Sequence, residues 1–467
     1  QSNTGFDDAE LGKAGPWSNG HAQPVFRGDP NKIGHIKDYG AELGGPLVKE
    51  HLWFWGSYAK NDINNFVLGP LVGGVAQPDI HDNTQLADYN AKLNWQITPS
   101  NSLTSFYLRG EKTKQGRGAG PSRPQETTWD QSGPTNVYKL EDTQIFSADL
   151  FATLLGAWGK NVFLLAPEGG LGTNVVRDES FVWHNSFVHY QTERPQKQGK
   201  LEVSKFANTG NVSHELKFSA GYRKTDIESG STWPGFGIQK DYYKAYASPD
   251  FPILEQGGSV IALSRDSSKA NRISYTSAFV QDTLTANRLT ANIGVRYDGQ
   301  KTTNLSQKVP ANAAFPDLLP AVQYPGGGGF EWKNFTPRLG ITYAIGAEHK
   351  SLLRASYSRF ADQLGGGTSS WLSPLYPPSY VYLYYNDTNH DGLAQPGEVL
   401  KNTPCGICGA PWNSSYNPLH PGSFVQSFGL SSHFHAPITN EALLSFEHSL
   451  LPEFVVGVNL TYRKLED

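Results

Sequence analysis

Apolar and polar residues alternate with a period of two along many parts of the chain. In the segment LTANIGVRYD (289–298), Leu, Ala, Ile, Val and Tyr share one face, and Thr, Asn, Gly, Arg and Asp share the other. The same alternation recurs in residues 87–98, 216–223, 337–343 and 456–463. Because successive side chains of a strand point to opposite faces, this pattern predicts β-strands with one apolar and one polar face.

Short and long connections alternate between the predicted strands. The short ones include TPSNS (98–102), whereas the long ones, mostly rich in Gly, Pro and Asn, include 229–270 and 363–436. Tight turns on one side and long loops on the other are the layout of an outer-membrane barrel, with the turns in the periplasm and the loops outside the cell. We therefore predict an all-β, antiparallel transmembrane β-barrel with about fourteen meandering strands. The approximate strand ranges are 35–45, 52–62, 85–98, 102–113, 137–147, 150–164, 195–206, 214–228, 270–284, 288–304, 331–344, 350–362, 437–449 and 454–465.

Tyrosines recur within the predicted strands, mostly toward the end that leads into a long loop. Rings at this position are typical of the aromatic girdle of a membrane barrel, although tyrosine also has an ordinary preference for strands. The residues are Tyr58, Tyr107, Tyr222, Tyr297, Tyr357 and Tyr462.

The composition limits the possible functions. The chain has 467 residues and a formal net charge of −4, so no basic footprint points to nucleic acid as a partner. No run of about 20 apolar residues predicts a transmembrane helix, although barrel strands carry a far weaker signal. The chain begins at Gln1 without a signal peptide, so we expect a processed chain or a fragment.

The sequence favours transport over catalysis. Neither the G-x-S-x-G nor the H-E-x-x-H motif occurs, so we do not expect an enzyme. The polar faces of the predicted strands carry charges that would be costly in a dry core but are expected in a hydrated lumen. An alternative is the exposed face of a soluble sheet. These inward residues are Asp88, Asn90, Lys92, Lys217, Arg223, Arg296, Asp298, Arg338, Arg354 and Arg463.

The stretch YYNDTNHDGLAQPGEVL (384–400) has the spacing of an EF-hand calcium loop but no flanking helices. Gly392 stands where that loop turns sharply, and a structural Ca²⁺ clip in a long extracellular loop is therefore predicted. A metal-free turn rich in Gly, Asp and Asn is the alternative. The predicted ligands are Asp387, Asn389, Asp391, the carbonyl of Leu393, Gln395 directly or through water, and bidentate Glu398.

Other candidate residues lie in the same long loop. Cys405 and Cys408 form PCGIC, which fits a small disulfide or two free thiols better than a redox site or a zinc site. His433 and His435 share one side of a strand-like stretch and could bind a metal or ligand at the barrel mouth, or simply be solvated. The loop aromatics, among them Trp371 and Trp412, could stack on a ligand or pack within the loop.

Several segments resemble the TonB-dependent outer-membrane receptors, and the Oar-like branch in particular. The turn motif GGP(I/L)-x-K-(D/E)-x-L-(F/W)-F is matched by Gly44, Gly45, Pro46, Lys49, Glu50, Leu52, Trp53 and Phe54. A later hairpin motif, QD…RLT-x-N-x-G-x-RYD, is matched by Gln281, Asp282, Arg288, Leu289, Asn292, Gly294, Arg296, Tyr297 and Asp298. The segments FTPRLGITYAI (335–345) and LLRASYSRF (352–360) resemble the hairpin that follows.

The resemblance implies the barrel of a plugged, 22-stranded type of transporter. No plug, TonB-contacting segment or terminal aromatic strand is recognised, so we expect an internal barrel fragment that lacks the plug and the last strands. Residues 1–34 are expected to be part of an extracellular loop, and 35–467 to be the partial barrel.

The predicted function is an outer-membrane receptor that captures a ligand at its extracellular loops and passes it through the barrel. A passive porin and a soluble cell-surface adhesin or glycan-binding β protein are the alternatives. Expected partners are outer-membrane lipid or lipopolysaccharide, an unknown ligand and, in the full-length protein, its own plug domain and the TonB complex.

Overall fold

The computed structural model describes most of the chain in long continuous stretches. They are residues 31–72, 75–178, 182–241, 259–346, 348, 350–375, 379–391, 393–404, 417, 420–423, 429–431 and 433–466. Within them, no helix is long and apolar enough to cross a bilayer.

The described residues form one main sheet of fifteen strands, fourteen of which are long. Each long strand pairs antiparallel with the long strand that follows it in the chain, so the sheet is a meander. The short segment Trp129–Ser132 pairs with the fourth and sixth long strands. The long strands are β1 (Lys32–Val48), β2 (Leu52–Val67), β3 (Ile80–Thr98), β4 (Asn101–Arg117), β5 (Thr135–Ser147), β6 (Leu150–Pro167), β7 (His189–Thr209), β8 (Val212–Thr232), β9 (Ser267–Ala286), β10 (Leu289–Asn304), β11 (Gly327–Ile345), β12 (Ser351–Ala361), β13 (Ile438–Leu451) and β14 (Phe454–Glu466).

The number, order and pairing of the long strands confirm the sequence prediction. Most strands extend further than predicted toward the long connections: β8 runs to Thr232 and β9 begins at Ser267. β1 begins at Lys32, inside the stretch predicted as a loop. The alternation of apolar and polar residues fades in these extensions, so the sequence pattern underestimates their length. β1 and β14 stand at the two ends of the described sheet.

The two faces of the sheet differ in chemistry as the alternation predicts. Ile293 (52% exposed) and Val295 (42%) of β10 point to one face, which we call the outer face. Asp298 (7%) and Gln300 (2%) point to the other, which we call the inner face. Large apolar side chains left exposed on many strands share the outer face, which is the arrangement of a barrel wall that contacts lipid.

The long connections form a compact unit of their own, which we call the cap. Its six-stranded sheet contains Trp183–His184, Val175–Arg177, Ile238–Asp241, Ser259–Ser264, Tyr380–Tyr385 and Val399–Pro404, in that order. Its core contains Ile238, Ile261, Leu263, Phe315, Leu319, Val381, Leu383, Tyr385, Ala394 and Val399. The long connections, although mostly rich in Gly, Pro and Asn, therefore share a hydrophobic core. Short apolar runs such as SVIALS and YVYLYY pair across connections that lie far apart in the chain.

Candidate functional site

The inner face carries charged side chains whose partners lie on the same face. Arg296 Nε donates to Asp298 Oδ1 at 2.8 Å, and its Nη2 donates to the hydroxyl of Tyr275 at 3.0 Å. The Tyr275 hydroxyl in turn donates to Asp298. The guanidinium of Arg223 lies 5.1 Å from the centre of the Tyr275 ring. Strands β8, β9 and β10 thus share one polar network on the wall that was predicted to face the lumen.

Further inner-face charges are paired in the same way. Arg354 Nη1 lies 2.6 Å from Glu447 Oε1, and Arg463 Nε donates to Glu441 at 2.9 Å. Arg338 instead lies over the Phe360 ring at 5.3 Å. A wall that supplies its own counter-charges tolerates water without isolated buried ions, so this face suits a hydrated passage.

The segment that follows β12 folds back against the inner face at the long-loop end. The side chain of Gln300 donates to the Asp362 carbonyl at 2.9 Å and accepts from the Leu364 amide at 2.7 Å. Asn271 donates to the carbonyl of Gly366 at 3.1 Å. We call residues 362–370, which include the short helix Gly366–Ser370, the strap.

An apolar cluster fixes the strap from its other side. Leu364 (2% exposed) packs with Trp332 and Ala436, so one strap residue contacts β11 and the segment before β13. The strap therefore lies against the inner wall on the long-loop side of the polar network, since Gln300 follows Asp298 by two residues in that direction.

The predicted calcium loop connects two strands of the cap sheet, Tyr380–Tyr385 and Val399–Pro404. The buried Glu398 carboxylate accepts hydrogen bonds from the Gln395 amide at 3.1 Å and from the amide and hydroxyl of Thr388 at 2.9 and 2.8 Å. These hydrogen bonds hold the pKa of Glu398 below its ordinary value, and the one from the backbone amide of Gln395 has the largest effect. The loop thus joins a hairpin whose ends belong to the cap core, which explains the lack of flanking helices.

The acidic end of this loop is closed by its own hydrogen bonds. The Asp391 amide donates to Asp387 Oδ1 at 3.2 Å and to Asn389 Oδ1 at 3.1 Å. The Asp391 carboxylate accepts from the Leu393 amide at 2.8 Å and from Gln395 Nε2 at 2.6 Å. Gly392 lies outside the described residues. Across the part of the chain that is described, no three His, Cys, Asp or Glu side chains form a group that could hold a metal. Calcium binding stays a prediction.

The remaining candidates divide between described and undescribed residues. Cys405, Cys408 and Trp412 lie outside the described residues. Trp371 is 48% exposed, directly after the strap helix. His433 and His435 flank Phe434, whose ring packs at 4.9 Å from Phe330 and 5.5 Å from Trp332. The two histidines thus border the apolar cluster that holds the strap.

The sequence analysis did not predict a cation–π cluster that holds two of the long connections together. The guanidinium of Arg123 lies 3.8 Å from the Phe187 ring centre and 4.7 Å from that of Trp129, and Trp183 packs edge-on to Phe187 at 5.2 Å. Burial among these rings lowers the pKa of Arg123. Because the residues belong to separate connections, no local spacing indicates the contact.

The outer face carries an aromatic row made of two groups of rings in contact. Ring centres are 5.1 Å apart for Tyr58 and Tyr89, 4.9 Å for Tyr107 and Tyr138, and 5.3 Å for Tyr138 and Trp158. These rings lie on neighbouring strands at similar heights, which agrees with the predicted girdle.

Comparisons with known proteins show which family has this architecture. The family model described as "Outer membrane beta barrel domain" matches residues 75–461. No curated protein sequence matches the chain at a significant level.

Solved structures of outer-membrane proteins share the fold at low identity. The outer membrane transporter YddB from Escherichia coli has 12% identity and a TM-score of 0.58, with 92% of this chain and 46% of that chain covered. A mutant of the ferric enterobactin receptor PfeA from Pseudomonas aeruginosa has 12% identity and a TM-score of 0.51, with 93% and 52% covered. The chain therefore spans about half the length of these structures.

Proposed function

Since the chain belongs to the outer membrane beta barrel domain family, we propose that it forms part of the barrel of a TonB-dependent receptor of the Oar-like branch. The receptor captures a ligand at the cap and passes it along the inner face. The main supporting observation is the strap, which is hydrogen-bonded to the inner face at the long-loop end. An entrance narrowed by a fixed segment suits a gated receptor better than an open diffusion pore.

The full-length receptor is proposed to work with a plug domain inside the barrel and with the TonB complex. The polar inner wall supports this role, because ion pairs such as Arg296–Asp298 and Arg354–Glu447 let it contact either water or a polar plug surface without isolating those charges. The sequence motifs around Gly44 and Gln281 support the Oar-like branch.

Energy dependence tests this function. Cells with the full-length gene are given three labelled probes: a ferric siderophore, an oligosaccharide and a short peptide. Receptor-dependent accumulation of at least one probe, lost on addition of a protonophore or on deletion of TonB, is expected. Accumulation that persists without TonB would indicate the alternative, a passive porin. The soluble adhesin alternative does not agree with membership of an outer-membrane barrel family.

We also propose that Ca²⁺ binds the loop 387–398 and stabilises the cap. Support comes from the oxygen-rich spacing and from Gln395 Oε1, which is buried without a hydrogen-bond partner. Calcium would supply a cation that joins Asp387, Asn389 and Asp391. Glu398 would have to exchange its N–H donors for the metal before it could bind.

Proteolysis tests the calcium proposal without reference to transport. Cleavage of the 363–436 loop in the full-length protein is expected to accelerate when a chelator removes Ca²⁺. The double substitution Asp391→Ala/Glu398→Ala should abolish the difference, whereas Asp317→Ala, outside the loop, should preserve it. A cleavage rate in the unmutated protein that is insensitive to chelator rules the proposal out.

A further inference from the structure

The outer face changes from apolar to charged beyond an aromatic residue on many strands. In eight strands an aromatic residue is followed, two residues closer to the long connections, by a lysine or arginine on the same face. The pairs are Tyr39/Lys37, Tyr58/Lys60, Tyr107/Arg109, Trp158/Lys160, Tyr222/Lys224, Phe335/Lys333, Tyr357/Arg359 and Tyr462/Lys464.

The opposite end of the outer face has no such series among the described strands. There the outer face presents Asp142 and Asp282, the latter 2.8 Å from His214. The lysine on the outer face at that end, Lys205, forms an ion pair with Asp149. This series of cations, which we call the belt, is therefore specific to the end with the long connections, which in an outer-membrane barrel faces the outer leaflet. Four of its members are paired with carboxylates: Arg109 with Glu111, Lys160 with Glu193, Lys333 with Glu331 and Lys464 with Glu466.

Two lysines of the belt occupy an unfavourable position. Lys197 of β7 and Lys224 of β8 are directly opposite each other in the antiparallel register, where like charges repel. The carboxylate nearest to Lys224 is Asp226, at 3.7 Å, but both oxygens of Asp226 accept from Arg272, at 2.6 and 3.0 Å. Within the described residues, no carboxylate lies within ion-pair distance of the exposed Lys197. An external anion would relieve this repulsion.

An apolar cradle lies beside these lysines. It is a cavity of about 580 Å³ on the outer face of β3–β6, bordered by Leu93, Tyr107, Tyr138, Leu140 and Trp158 around Gly156. Trp158 is the cross-strand partner of Lys197, so the cradle and the lysine pair share an edge. Apolar volume below the aromatic row and positive charge above it match the two ends of a phosphorylated lipid.

We propose that Lys197 and Lys224 bind a phosphate of lipid A in the outer leaflet, and that the cradle beside Trp158 receives one of its acyl chains. The site requires the outer-membrane position of the barrel but not the proposed transport. Lipid A fits because it combines phosphates with several acyl chains, and because it belongs to the leaflet at the long-loop end.

Lipid retention by the full-length protein tests the site. The protein is purified in detergent, incubated with diphosphoryl lipid A, washed, and the bound lipid is counted by native mass spectrometry. Lys197→Gln is expected to weaken binding about fivefold and Lys197→Gln/Lys224→Gln about thirtyfold. Lys217→Gln, on the inner face of β8 and outside the cradle, is the matched control and should bind normally. Heat-modifiable migration on gels verifies that each variant is folded, and the single variant carries the test if the double variant does not fold.

Two further lipids distinguish recognition of the lipid A phosphates from general binding of acyl chains or of anionic lipid. Dephosphorylated lipid A should bind the unmutated protein about as weakly as diphosphoryl lipid A binds the double variant. Phosphatidylglycerol should compete poorly. The proposal is overturned if the double variant retains diphosphoryl lipid A fully, if removal of the phosphates has no effect, or if phosphatidylglycerol binds as tightly as lipid A.

Discussion

Gln300 accepts the amide hydrogen of Leu364 at 2.7 Å, and both residues are buried, at 2% exposure each. The same Gln300 side chain also donates to the Asp362 carbonyl at 2.9 Å, so a residue of the inner wall satisfies two backbone groups of the strap. Gln300 makes two of the hydrogen bonds that attach the strap to the wall, and Asn271 makes a third, to the carbonyl of Gly366.

Replacing Gln300 with leucine should therefore loosen the strap. Gln300→Leu leaves the amide of the buried Leu364 without a partner, which costs on the order of 1–3 kcal/mol, and it also removes the hydrogen bond to the carbonyl of the exposed Asp362. Limited proteolysis should show faster cleavage within 362–375, while the barrel stays folded. The matched control is Gln281→Leu, at an inner-face position of the neighbouring strand β9, which should leave cleavage unchanged. Equal cleavage in the two variants would show that Gln300 does not hold the strap.

The two faces of β10 should respond oppositely to charge. Ile293→Arg places a cation on the outer face and should destabilise the barrel by about 2–4 kcal/mol near the bilayer midplane. Asn292→Arg points to the inner face and should be mild, although it removes a 2.8 Å hydrogen bond from Thr283. Unfolding of the full-length protein in lipid vesicles measures both. Equal losses would contradict the assignment of the faces.

The inner-wall network predicts strong coupling between Arg296 and Asp298. Arg296→Met leaves the Asp298 carboxylate without its guanidinium and should cost on the order of 3 kcal/mol at most, because the Arg296 side chain is 27% exposed to water. The double variant Arg296→Met/Asp298→Leu should recover much of that loss. Chemical denaturation of the four members of the cycle gives the coupling energy. Additive effects of the two substitutions would show that the pair does not act as a unit.

The lowered pKa of Glu398 predicts that acid weakens the cap. A carboxyl with a depressed pKa in the folded state contributes stability above its unfolded pKa of about 4.3, and this contribution is lost as the pH falls through the lower folded value. Proteolysis of 363–436 should therefore accelerate below about pH 4.3 in the unmutated protein. Glu398→Gln should already be cleaved faster at neutral pH and should respond less to acid. An unchanged acid response in Glu398→Gln would assign it to other groups.

The sequence determines the barrel wall far better than the structures above it. Strict alternation in 289–298 locates β10 and both of its faces, because burial of one face in lipid requires that pattern. The cap and the strap depend on contacts between distant segments, such as Gln300 with Leu364 and Arg123 with Phe187. Nothing in the local sequence of a loop specifies its partner across more than 60 residues. The spacing of the calcium motif is recognisable in the sequence. That spacing does not reveal that the loop joins two paired strands of the cap sheet.

The proposed function requires a barrel that crosses the outer membrane with its cap outside the cell. Labelling of single cysteines with a membrane-impermeant maleimide tests this directly, in the full-length protein carrying Cys405→Ser and Cys408→Ser. Asp317→Cys, exposed on the connection that contributes Phe315 and Leu319 to the cap core, should be labelled in intact cells. Ser100→Cys, in the turn between β3 and β4, should be labelled only after the outer membrane is permeabilised. Labelling of Ser100→Cys but not Asp317→Cys in intact cells, or equal labelling of both, would contradict the account.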